Sequence, residues 1–393
     1  MVLVKRHDAL GADEHYYHLL ATWISQGYGF NVPGADVPFG TLHPPLYPLL
    51  LAPVTWIASG SAVLAQRLVG AAIGAATVFV VGVLGREVSG ERAGIIAAVL
   101  AAVAPMLWVS DGIIMAESLA ALLVAVTLVL AYRSIRAPSI GRAIVLGVVC
   151  GLAALTRGEL VLLVVFVALP ATLRSGDARR RAARAGCVLL GATFVIAPWA
   201  AYTSARFDRP VLVSSNLGVT LCGANNRVTY SGSDIGLWDQ DACPPDDSSL
   251  DAFAQNDHWT RTSIAYARDH ATRLPFVAAA RVGRILGVYA PNQMVDFELL
   301  TGARPRGVSW AITVLFPVLL ATAVYGWVLL RKRRMLAAPL VGTLAMVLVV
   351  ALLTSGDLRY RVPADVALVV LAAVAVEQLA TRFGLLRANC WEA

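Results

Sequence analysis

Residues 67–108 read RLVGAAIGAATVFVVGVLGREVSGERAGIIAAVLAAVAPMLW. Two long apolar runs meet at a short loop flanked by Arg86 and Arg92. A run of about 20 apolar residues that closes its own backbone hydrogen bonds is what a lipid solvent demands. The same pattern extends outward on both sides. Spans are expected near 61–86, 91–109, 113–132, 140–156, 158–174 and 183–203, then near 308–330, 335–354 and 364–383. The expected fold class is therefore all-α: a polytopic transmembrane bundle of about nine spans, with extracytoplasmic surface helices and a loop-rich insert.

Composition agrees. Of 393 residues, 58% are hydrophobic and 15% charged, against roughly half and a quarter in soluble domains. The net charge of +7 does not mark a nucleic-acid binder, because the basic residues lie between the apolar runs, where they fix orientation in the membrane. Arg86 and Arg92, then Arg133, Arg136 and Arg142, then Arg174 to Arg184, then Arg331 to Arg334 fall in alternate loops. That side is expected to be cytoplasmic. The C-terminus follows it, in a multi-pass protein of the plasma membrane.

Four regions follow. Residues 1–60 form a first extracytoplasmic loop with two surface helices, one at 14–27 capped by Asp13, the other opened by Pro44 and Pro45. Residues 61–205 hold transmembrane helices, 206–307 the extracytoplasmic insert, and 308–393 the last helices and a cytoplasmic tail. A polar N-terminal region placed outside, with no apolar run before it, leads to the expectation of a further span upstream of Met1. The insert is rich in Asn, Asp, Gly and Ser up to about residue 250, then helical to about 290, with Arg281 and Arg284 on one face. Cys222 and Cys243 share it, and in an oxidising compartment they are expected to pair; the alternative is two free thiols. There is no CxxC and no zinc spacing.

Ionisable residues on the rims of spans are candidate site residues. Four places on the outer side qualify. Asp13 and Glu14 precede His15, Tyr16, Tyr17 and His18; a carboxylate here could take a proton from an attacking hydroxyl, or simply cap a helix. Asp111 and Glu117 come next, with Glu117 about two turns into a span, where an unpaired carboxylate is costly; they form a site or a lock between helices. Arg157 and Glu159 form a hinge in LTRGEL, as a site or a plain ion pair. Arg359, Tyr360 and Arg361 oppose the positive-inside bias. A lipid phosphate would hold such arginines outside, and so would Asp357 or Asp365. No P-loop, dinucleotide glycine motif, nucleophile elbow or HExxH is present, so nothing supports a soluble nucleotide donor.

The order DEHYYHLLATWISQGYGF, HPPLYPLLLAP, MAESLAALL, GLAALTRGELVLL, the Asn/Gly-rich insert and GDLRYRVPAD resembles the GT-C superfamily of membrane glycosyltransferases. It is most similar to the family-39-like group of protein O-mannosyltransferases and aminoarabinose transferases, in an actinobacterial form. The resemblance implies an enzyme that moves a hexose or pentose from a polyprenyl-phosphate carrier to an acceptor hydroxyl of a glycan, lipid or protein of the cell envelope. It implies Asp13 as the base, Glu14 beside it, and Glu117 as the second acidic position. Arg157, Arg359 and Arg361 match basic positions near the carrier phosphate. His43 stands where relatives carry a phosphate-contacting lysine, a departure that weakens this contact. Tyr17, Asp111 and Glu159 complete the expected substrate site. The superfamily admits a divalent metal, which these residues do not demand; no other cofactor is expected. A lipid or lipid-linked-sugar flippase is the rival reading, and it should show inverted repeats and Gly/Pro-broken spans.

Overall fold

The computed structural model describes residues 10–34, 41–245, 252–301 and 304–384. Among them there is no β-strand, and the chain is a helical multi-pass membrane protein. Two helices, α1 (Ala12–Ser25) and α2 (Leu46–Ile57), precede the first long apolar helix, α3 (Ala62–Ser89). Next come α4 (Glu91–Val103), a short α5 (Pro105–Trp108), α6 (Glu117–Arg136) and α7 (Ile140–Ala154). Residues 158–168 then form tight and wide turns of helix before α8 (Leu169–Thr172), and α9 (Ala178–Phe207) follows. The insert contributes α10 (Leu217–Ala224), α11 (Arg227–Tyr230), α12 (Ala252–Asp269), α13 (Leu274–Ile285) and α14 (Pro291–Thr301). It is thus more helical than its composition suggested. The chain returns through α15 (Arg306–Lys332), α16 (Ala338–Leu353) and α17 (Val362–Arg382).

Every expected span coincides with helix, but not all reach across a bilayer. Among the described residues five helices are long and apolar enough, or six if α4 and the Pro105–Gly112 segment, bent by 65°, count as one. The spans expected at 140–156, 158–174 and 335–354 fold as apolar helices of 15 or 16 residues. At about 1.5 Å per residue they cover roughly 24 Å, short of a hydrocarbon core of about 30 Å.

The axis of the bundle is α17. Residues Val366 to Val374 are all at most 3% exposed, as expected of a helix that is apolar on every face. It packs on α3, α4, α6, α15 and α16. By contrast α9 has 22% of its apolar window buried, against 83% for the segment containing α17, so α9 presents its side chains to lipid. Helices in lipid associate through close backbone contact, which favours small residues. Gly326 of α15 is such a point, since a Cβ there would collide with the Leu371 carbonyl of α17.

The two ends of the bundle differ. At one, Glu87 at the end of α3 pairs with Arg133 (2.8 Å) and Arg136 at the end of α6. Tyr132 donates to the Leu336 carbonyl (2.8 Å) and so ties in the α15–α16 loop. At the other end lie α1, α2, the start of α6 and the insert. Two buried arginines of α13 hold the insert together, and one of them ties it to α16 of the bundle. Arg281 donates to the carbonyls of Leu352 and Ala224, Arg284 to those of Ile235 and Ser233. Cys222 and Cys243 form a disulfide.

Candidate active site

Helix α1 opens the site. Its cap is Gly11, not Asp13 as expected: the Glu14 carboxylate accepts from the Gly11 backbone N–H at 3.1 Å. That reversal frees Asp13, in the first helical turn, to face inward. A cavity of about 930 Å³ lies between α1, the start of α6, the turn after α7, the end of α16 and the insert. Among the described residues, Asp13, Glu117, Glu159 and Asp357 are its carboxylates, and Arg157 and Arg359 its guanidiniums.

These charges form two triads. Arg359 bridges Asp13 and Asp357, with 2.8 Å to each. Arg157 bridges Glu117 and Glu159, the latter at 2.6 Å, and lies over the Tyr360 ring with its guanidinium carbon 5.4 Å from the centroid. His43 faces Asp13, Nε2 to Oδ1 at 3.7 Å, and its ring leans on Tyr16 and Tyr17. Burial alone would raise the Asp13 carboxyl. The neighbouring His43 and the charge of Arg359 outweigh it and hold the group well below the usual carboxylate range. Asp13 is ionised at any physiological pH.

The sequence candidates thus divide. Asp13, Tyr17, His43, Glu117, Arg157, Glu159 and Arg359 converge on the cavity. Glu117 begins α6 rather than lying two turns inside a span. Glu14, Asp111 and Arg361 are not among the lining residues. Glu14 is 1% exposed and accepts from the Ile114 N–H (3.0 Å) and from Arg67 (3.5 Å), pinning α1 to the bundle. Asp111 accepts from Ser118 at 2.7 Å and packs on α3, where a Cβ at Gly74 would strike its carboxylate. Arg361 is buried against Asp365 (2.9 Å), the Ile285 carbonyl and the Phe316 ring; this is the alternative pairing, not a lipid contact. Arg359 pairs with Asp357, the other expected partner, and with Asp13, and both hold it within the cavity.

Other groups were not singled out from sequence. Trp238 and Trp259 of the insert line the cavity, each with its indole N–H fixed by a backbone carbonyl; aromatic residues in an otherwise polar insert were the available signal. Behind Asp357 lies a buried pair, Glu298 with Arg304. Burial pushes the Glu298 carboxyl up to about 7, and Asp357 adds to the rise while Arg304 opposes it. Among the described residues no three carboxylate, imidazole or thiol groups converge as metal ligands would.

Comparisons with known proteins fit this architecture. Residues 42–202 match the family described as dolichyl-phosphate-mannose-protein mannosyltransferase. No curated protein matches in sequence. The archaeal oligosaccharyltransferase AglB from Archaeoglobus fulgidus, solved with an inhibitory peptide and a dolichol-phosphate, is 15% identical with a TM-score of 0.53, covering 96% of this chain and 48% of AglB. The same organism's oligosaccharyltransferase in its apo form is 16% identical with a TM-score of 0.55, covering 96% of this chain and 47% of its own. ArnT from Cupriavidus metallidurans in the apo state is 14% identical, with a TM-score of 0.43, covering 96% of this chain and 75% of ArnT. The chain spans about half the length of the archaeal structures. It shares the GT-C fold of these archaeal oligosaccharyltransferases.

Proposed function

We propose that the chain transfers a sugar from a polyprenyl-phosphate carrier to an acceptor hydroxyl at the extracytoplasmic face of the membrane. The observation that carries this reading is the meeting of Asp13 with Arg359 and Arg157 in one cavity at the end of the bundle opposite the arginine-rich loops. Short loops rich in arginine stay in the cytoplasm, which supports an extracytoplasmic cavity. The family match over 42–202 and the dolichol-phosphate in the AglB structure support a lipid-phosphate donor.

The charges give the reaction an order. Each guanidinium is already neutralised by two carboxylates, so an incoming phosphate must compete for it. As the phosphate draws Arg359 away, Asp13 loses the charge that depresses its basicity. It then becomes able to accept the proton of the acceptor hydroxyl as that oxygen attacks the anomeric carbon. The carbon–oxygen bond to the carrier breaks, and the carrier leaves as lipid phosphate, its growing negative charge met by Arg157 and Arg359. Donor binding therefore switches on the base.

The test uses the full chain in lipid vesicles with polyprenyl phosphates carrying labelled mannose or labelled arabinose. Wild type is expected to release sugar to an acceptor fraction from membranes. Asp13→Asn should lose about 10²- to 10⁴-fold in rate while still binding the carrier. Transfer that survives the substitution would refute the assignment. Movement of the lipid across the bilayer without transfer would favour a flippase.

A further inference from the structure

A second recess lies on another face of α1, with a volume of about 530 Å³. That is within the roughly 300–1,000 Å³ of small-molecule sites. Its chemistry is unlike that of the first. Among the described lining residues, none apart from His18 is titratable. The stripe His18, Thr22, Ser25 and Gln26 recurs at helical spacing along α1, turned away from the Asp13–Tyr17 face. Ser59 and Ser61 close the opposite side, and Trp56 of α2, 72% exposed, offers an open indole face.

A chain of buried hydrogen bonds builds one wall. Thr55 donates to the Leu51 carbonyl (2.8 Å), and Gln66 Nε2 donates to Thr55 Oγ1 (2.7 Å). Gln66 Oε1 must then accept from His18 Nδ1 at 2.9 Å. Gln66 is fully buried and Thr55 nearly so. The direction of this chain makes His18 Nδ1 the donor to Gln66 and orients the ring. Thr22 and Ser25 donate to carbonyls of their own helix, which leaves their oxygens as acceptors. Ser59, Ser61 and the Gln26 amide supply donors. An exposed tryptophan beside a membrane can be a simple interfacial anchor. An anchor does not require a buried Gln–Thr relay that orients a histidine at its side.

The geometry points to a binding site for a neutral, polyhydroxylated ring: one sugar unit, stacked on Trp56 and hydrogen-bonded by uncharged donors and acceptors. Among the described lining residues there is no lysine or arginine to hold a phosphate or carboxylate. The sugar could belong to a soluble glycan or to the headgroup of a glycolipid, and the two share this chemistry. The inference does not depend on the transfer reaction, so it can fail or stand separately.

The experiment titrates the full chain in phosphatidylcholine nanodiscs with methyl α-mannoside by saturation-transfer NMR. A parallel arm measures retention of a neutral monoglycosyl diacylglycerol by native mass spectrometry. Saturable binding of either probe is expected, the arm that responds naming the source. Trp56→Ala should weaken it about fivefold to tenfold, Trp56→Tyr much less, and Asp13→Asn not at all. Because Trp56 is exposed, its loss leaves the fold intact, which an unchanged thermal midpoint checks. No saturable binding in either arm overturns the proposal, as does binding that ignores Trp56→Ala or that inorganic phosphate displaces.

Discussion

Arg359 and Arg361 lie two residues apart, yet one faces the cavity and the other is buried against Asp365. Nothing local in LRYR distinguishes them. The distinction comes from Asp13, 346 residues away in sequence, and from Phe316. For the same reason Asp13 was legible as a candidate but not as a residue tied to Arg359. Arg359→Gln tests that tie. A carboxyl with a depressed pKa keeps its charge until the pH falls through the lowered value. Without the guanidinium the Asp13 value rises, so the acid limb of a pH–rate profile should move towards neutral, with a lower maximal rate. A limb that stays in place would separate the two residues. Glu298 runs the opposite way, its carboxyl raised from 4.5 to about 7. The folded chain then holds a proton that the unfolded chain has lost. The stabilisation is complete below the unfolded value and disappears as the pH rises through about 7. The thermal midpoint of Glu298→Gln, lower overall because Arg304 loses its partner, should show a shallower fall than wild type between about pH 5 and 8.

Hydrophobic runs located the helices well, because lipid forces apolar sequence and helix to coincide. They did not reveal length. Residues 140–156 and 158–174 are apolar enough for spans, but the turn around Arg157 divides them into short pieces. Periodicity also said little about which helix would lie inside, since lipid and protein interior are equally apolar. The glycines are the better guide, because a missing side chain marks where two backbones touch. Gly326→Leu should push α15 off α17 and cost about 1–3 kcal/mol or more of stability. A lowered unfolding temperature in detergent would record it. The insert was harder to read still. Its Asn- and Gly-rich opening did not say which of its residues, Trp238 among them, would line the cavity.

At the scale of the molecule, the sequence conveyed a bundle with a basic end and a reactive end. It did not convey that the last long helix described is the central one. Every helix that α17 touches precedes it in the chain. During synthesis those earlier helices enter the bilayer before the helix they pack on has been made. Arg359, one turn ahead of α17, arrives with it. The membrane insertion machinery thus delivers the bundle's keystone and the partner of Asp13 in one late event, and a half-made chain has neither.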